Sequence, residues 1–188
     1  HIPRILMERR TVVVYGGSFC PVHIGHIMVG GYVGQFVEGV DHVMYMLSAR
    51  NPLKPPYPMT DSERLALLSR AVAPYPFMSV SSLELSMPRP SYTIDTLRRL
   101  AADHPDSSFR LLVGSDNILD IHRWREPDEI LSRFGVMVYP RPGFAIDPAA
   151  LPQGATLIEG APTMQISSTF IREGMAAGRD MRPFLPHV

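Results

Sequence analysis

Short apolar runs punctuated by glycine and proline alternate along this chain with longer segments whose apolar residues recur every three or four positions. The first run, Thr11-Val12-Val13-Val14-Tyr15, is β-branched and stops at Gly16-Gly17, the pattern of a buried strand meeting a tight loop. Residues 43–47, 77–80, 109–113 and 135–139 read as further strands. Residues 24–37 predict a helix; Gly30, Gly31 and Gly34 lower its propensity and are better explained by close packing on a sheet. Thr60-Asp61-Ser62-Glu63 is a capping box opening a helix that carries Leu65, Leu67, Leu68 and Val72. Residues 93–102 put Ile94, Leu97 and Leu100 on one helical face, 126–132 predict a short helix, and 168–177 a last one closed by Gly178.

Strands alternating with helices predict an α/β fold, a Rossmann-like, doubly wound parallel sheet with helices on both faces. Ligands of such sheets bind beyond the carboxyl ends of the strands, so the chemistry is expected just after Tyr15, Leu47, Val113 and Tyr139. The 188 residues are read as one domain, 1–188, with residues 1–10 as an N-terminal extension.

Charge and composition remove several classes of function. The 18 Lys+Arg and 18 Asp+Glu cancel, so no overall field draws the chain to nucleic acid or membrane, and a phosphorylated ligand must be held by a local pocket. No apolar run approaches the roughly 20 residues of a membrane span, and the first ten residues lack a secretory stretch. Cys20 is the single cysteine, which excludes an intrachain disulfide and a multi-cysteine metal site. A cytoplasmic setting is expected, and a homo-oligomer is compatible with it.

The most informative stretch is Gly16-Gly17-Ser18-Phe19-Cys20-Pro21-Val22-His23-Ile24-Gly25-His26. Glycines admit a phosphate close to the backbone, and a helix start offers unpaired N–H groups and a positive dipole end. His23 and His26, three residues apart, project the same way and can donate hydrogen bonds to a phosphoryl group. Neither the dinucleotide pattern G-x-G-x-x-G nor the Walker pattern G-x-x-x-x-G-K-[ST] fits this loop, which counts against an oxidoreductase and a P-loop kinase.

This block resembles the signature of the HxGH nucleotidyltransferase superfamily, and Ile166-Ser167-Ser168-Thr169-Phe170-Ile171-Arg172 resembles its ISSTxIR motif. There the hydroxyls of Ser168 and Thr169 are expected to cap a phosphate-holding helix, with Arg172 one turn on. Pro90-Ser91-Tyr92-Thr93-Ile94-Asp95-Thr96-Leu97, Gly114-Ser115-Asp116-Asn117, Trp124, Asn51-Pro52-Leu53-Lys54-Pro55 and Asp61-Ser62-Glu63-Arg64 are similar to the nicotinic acid mononucleotide adenylyltransferase family. The resemblance covers residues 12–186.

That resemblance implies ATP and nicotinic acid mononucleotide as partners, and AMP transfer in NAD biosynthesis. It implies catalysis by His23, His26, Lys54 and Arg172. It also implies an ATP site of Gly16, Gly17, Ser18, Phe19, His23, His26, Gly114, Asp116, Ile166, Ser168, Thr169 and Arg172. Acceptor contacts would come from Tyr92, Thr93, Trp124, Lys54 and Arg141, with Trp124 stacking on the pyridine and Thr93 meeting its carboxylate. Mg²⁺ is implied on the ATP phosphates, with no all-protein metal site.

One position departs from the pattern: the family commonly carries aspartate where Cys20 stands, and a thiol supplies no fixed carboxylate. A thiol near a helix start is also open to acidification and oxidation. Three alternatives stay open at this point: nicotinamide mononucleotide as acceptor, phosphopantetheine as acceptor, and a nucleotide-binding protein that lost catalysis through Cys20. Arg64, inside a helix, is read only as a partner for a carboxylate.

Overall fold

The β-branched run forms β1 (Arg10–Gly17) near the middle of a six-stranded sheet in a computed structural model that describes residues 9–53 and 55–187. The other strands are β2 (His42–Leu47), β3 (Met78–Ser81), β4 (Ser107–Gly114), β5 (Val136–Tyr139) and β6 (Ala155–Leu157). Their order is β3-β2-β1-β4-β5-β6, and every neighbouring pair is parallel. The sixth strand escaped the sequence pattern, being three residues long directly after Gly154. Lys54 lies outside the described residues, as does most of the expected N-terminal extension; Arg10 already belongs to β1.

Val12, Val13 and Val14 are all buried, because both faces of the sheet are covered. Alternation along the strand sends Val12 and Val14 to one side and Val13 to the other. On the first side lie Ile94, Leu97 and Leu100 of α3 (Thr93–Asp103), with Ile130 and Phe134. On the second lie Val33 of α1 (Ile24–Phe36) and Leu68 and Val72 of α2 (Asp61–Val72). The sheet is therefore doubly wound, as the alternation predicts.

Of the helix glycines Gly30, Gly31 and Gly34, the first and last act in packing, whereas a Cβ at Gly31 would meet nothing nearer than Met78 Cε at 4.0 Å. A Cβ at Gly30 would overlap the Tyr45 hydroxyl, and one at Gly34 would lie 2.5 Å from the Phe77 ring. The Thr60–Glu63 box forms: Thr60 Oγ1 accepts from the Glu63 N–H at 3.1 Å, and Glu63 accepts from the Thr60 N–H at 2.8 Å. The helix expected over 126–132 is replaced by a single α turn, α4 (Pro127–Glu129), running into a π-helical segment (Ile130–Phe134). Gly135 ends it at φ 84°, in the left-handed region. The last helix is α5 (Ser168–Ala176).

From β1 the chain winds outward through β2 and β3, then returns to β4 on the opposite side of β1. The carboxyl ends of β1 and β4 thus flank the point where the winding reverses, and a crevice opens there. Among the described residues, no helix is long and apolar enough to cross a membrane.

Candidate active site

The two histidines form the cap of α1. His23 is its N-cap, and its Nδ1 accepts the Gly25 N–H at 3.1 Å, while His26 Nδ1 accepts the His23 N–H at 3.0 Å. Imidazoles thus fill the reciprocal roles that a hydroxyl and a carboxylate fill in an ordinary capping box. Their rings stack with centroids 3.6 Å apart. Gly25 makes room for this, since a Cβ there would lie 2.9 Å from the His23 ring.

An Nδ1 that accepts a hydrogen bond carries no proton, so a neutral ring must hold its proton on Nε2. The rings are held neutral. Burial, then the nearby Arg141 cation, pushes His23 down to about 4. Burial, followed by His23 and Arg141, pushes His26 well below its ordinary range. Near neutral pH each ring therefore offers one Nε2–H donor of fixed tautomer.

Two cavities open above the sheet. The larger, about 360 Å³, is walled by the loop residues Gly16, Gly17, Ser18 and Phe19 and by Gly114, Asp116, Thr93 and Trp124. The smaller, about 140 Å³, is walled by His23, Ile166 and Ser168 among others. Tyr15, His26 and Arg141 line both. Burial pushes the Tyr15 phenol up from its ordinary range, so its hydroxyl keeps its proton. A Cβ at Gly114 would overlap Asp116 Oδ1 and lie 3.2 Å from Arg141 Cγ, so this glycine lets both approach. Asp116 Oδ1 is buried with no hydrogen-bond partner.

The expected residues are thus divided. Gly16, Gly17, Ser18, Phe19, Gly114, Asp116, Thr93, Trp124 and Arg141 meet at the larger cavity, and His23, Ile166 and Ser168 at the smaller. Tyr92 lines neither; its ring lies 3.8 Å beneath the Arg125 guanidinium. Thr169 and Arg172 also stand apart: Arg172 donates to Thr169 Oγ1 at 3.3 Å and to the Cys20 carbonyl at 2.7 Å. The cap of α5 needs correcting. Ser167 Oγ accepts the Phe170 N–H at 3.1 Å, whereas Ser168 Oγ turns away and donates to the Pro21 carbonyl at 2.9 Å. Cys20 is buried at 1% exposure, which removes the environment a redox-active thiol needs.

Several site residues carried no local signal. Glu84 lies at the larger cavity, accepts from Thr96 Oγ1 at 2.9 Å, and is pushed up from the usual carboxylate range by burial. Tyr15 reads only as the last letter of a strand. Among the described residues, no group of three or more His, Cys, Asp or Glu is placed to hold a metal ion.

Residues 14–174 match the Cytidylyltransferase-like family. The chain is 43% identical over 180 residues to the probable nicotinate-nucleotide adenylyltransferase of Bacteroides fragilis, covering 95% of this chain and 89% of that one. It is 39% identical over 180 residues to the similarly named protein of Salinibacter ruber, covering 94% and 91%. Plasmodium falciparum nicotinic acid mononucleotide adenylyltransferase, solved in complex with NaAD, shares the fold with a TM-score of 0.75 at 19% identity, covering 94% of this chain and 90% of that one.

Proposed function

Because the chain belongs to the Cytidylyltransferase-like family of nucleotidyltransferases, we propose that it transfers AMP from ATP to nicotinic acid mononucleotide, releasing pyrophosphate and nicotinic acid adenine dinucleotide. The observation that carries this reading is the junction of two cavities at Tyr15, His26 and Arg141, beside a pair of neutral imidazoles.

An oxygen of the acceptor phosphate attacks the α-phosphorus of ATP; a P–O bond forms on one side and the bond to pyrophosphate breaks in line on the other. The nucleophile is already anionic, so the reaction asks for positioning and charge stabilisation rather than a general base. The Nε2–H groups of His23 and His26 donate to phosphoryl oxygens as charge builds, and Arg141 supplies a cation at the junction. The capped start of α5 borders the smaller cavity and adds its positive dipole end. On the acceptor side Trp124 offers a face for the pyridine ring. The first turn of α3 has no side-chain cap, which leaves the Thr93 and Ile94 N–H groups for a carboxylate, the Asp95 N–H being bonded to the Tyr92 carbonyl.

The donor set fits a Mg²⁺ ion held chiefly by ATP phosphates and water, with the unpartnered Asp116 Oδ1 the carboxylate oxygen that would face it. Such an ion supplies charge neutralisation on the phosphates.

The test is pyrophosphate release from ATP and Mg²⁺ with nicotinic acid mononucleotide or nicotinamide mononucleotide as acceptor. Release with the acid form, lost in His26→Ala, supports the proposal. Release only with the amide form moves the acceptor, and ATP binding without any release makes the chain a nucleotide-binding protein.

A further inference from the structure

Arg64 of α2 has no exposed surface and is the largest fully buried side chain described. Its Nη1 donates to the Ser18 carbonyl at 2.7 Å and the Ser48 carbonyl at 3.1 Å, and its Nη2 donates to Asp61 Oδ1 at 2.8 Å. The guanidinium lies 4.7 Å from the Tyr57 ring centroid, while Nε has no partner. Burying a guanidinium is costly, and an orphaned N–H adds to that cost. Packing of α2 alone would be served as well by an apolar side chain.

What the arginine does, and an apolar residue cannot, is hold two carbonyls at once. Ser18 belongs to the glycine loop and Ser48 follows β2 directly, and both line the larger cavity. The Ser48 N–H also donates to the Gly17 carbonyl at 2.9 Å, so three hydrogen bonds sew the two strand ends together. Across a planar trans peptide the carbonyl of one residue and the N–H of the next point in opposite directions. Drawing the Ser18 carbonyl into the interior therefore turns the Phe19 N–H outward. Phe19 itself sits at φ 43°, a left-handed conformation that a non-glycine residue keeps only under outside constraint.

We propose that Arg64 is a positioning residue of the reaction: it holds the Ser18 carbonyl inward and so fixes the phosphate-facing backbone of the loop. This rests on the larger cavity being the substrate site. A purely structural role would work through the ion pair with Asp61, which is half-exposed and sits at the start of the same helix.

The two roles separate in Arg64→Lys, Arg64→Met and Asp61→Asn, each followed by steady-state kinetics, ATP calorimetry and urea unfolding. Positioning through Ser18 lowers kcat at least about tenfold in Arg64→Met, with the acceptor KM within about threefold. Arg64→Lys, which keeps the charge but whose nitrogen stands one bond short of the Nη1 that holds both carbonyls, falls between Arg64→Met and the parent. Asp61→Asn loses stability but keeps kcat within about twofold, because the carbonyl contacts remain. Parental kcat in Arg64→Lys, or an equal loss in Asp61→Asn, overturns the proposal, and Arg64→Lys decides should Arg64→Met fail to fold. If the parent binds ATP without turnover, the reaction reading fails by itself, and ATP affinity across the same variants decides on Arg64: a loss in Arg64→Met and Arg64→Lys but not in Asp61→Asn sustains it, no loss overturns it.

Discussion

The hydroxyl of Tyr45, fully buried in β2, donates to the carbonyl oxygen of His26 at 2.7 Å. A sheet residue thereby fixes the height of the helical turn that carries an imidazole of the site. The arrangement also dictates Gly30, since the same hydroxyl occupies the space a Cβ would need.

Tyr45→Phe is expected to cost about 1 kcal/mol of stability, because it removes a buried hydrogen bond from a carbonyl that keeps only its helical partner, and to lower kcat more than it raises either KM. Gly30→Ala should cost about 1–3 kcal/mol through overpacking and lower kcat likewise. Urea midpoints and steady-state rates check both; an unchanged kcat in a destabilised Gly30→Ala would detach this contact from the chemistry.

The depressed histidines set a pH dependence with a defined sign. His23 titrates at about 4 in the fold against an ordinary 6.5, so between those values the unfolded chain binds a proton that the fold refuses. That stability is present above pH 6.5 and is lost as pH falls towards 4, by about 3 kcal/mol for His23. Bound phosphates favour the protonated rings, so ATP binding should take up protons in this window, as calorimetry in buffers of different ionisation enthalpy will read. His23→Asn, which keeps an N-cap acceptor, should flatten the pH slope of the urea midpoint. A slope identical to the parent's would show that His23 is not its source.

Trp124→Ala should raise the KM for nicotinic acid mononucleotide about tenfold, the equivalent of one lost stacking contact, while the KM for ATP stays within about twofold. An equal rise for both substrates would place the indole in general packing instead.

At 1% exposure, Cys20 should resist a thiol reagent in the native protein, with or without ATP, and react once urea unfolds the chain. Labelling at the rate of a free thiol would mean that the loop between β1 and α1 opens on the timescale of the reagent.

The strands were legible wherever β-branched runs end at glycine, as with Val12, Val13 and Val14 before Gly16-Gly17. Burial on both faces leaves such runs no polar alternative. Ala155–Leu157 was not legible, because three residues carry no period. The histidine pair was legible as a pair, but its mutual capping was not: nothing in the spacing tells an imidazole that donates to a ligand from one that also accepts from its own helix. Arg64 and Tyr45 were hidden for a deeper reason. Their contacts with Ser18 and His26 join segments 46 and 19 residues apart, and a local pattern holds no record of such meetings. Ser167 took the cap expected of its neighbours, because Ser168 found the Pro21 carbonyl across the fold.

The wall shared by the two cavities also governs how a single molecule occupies them. On the proposed reaction the dinucleotide product would span Tyr15, His26 and Arg141, which line both cavities, with both ends held at once, so that releasing either end would leave the other tethered nearby. Its grip is that of a two-armed chelate, in which each arm supplies the other with a high effective concentration. On that reading product departure is expected to be the slow step, read as a burst of pyrophosphate in the first turnover, and a non-reacting molecule that joins the same two arms would inherit that advantage.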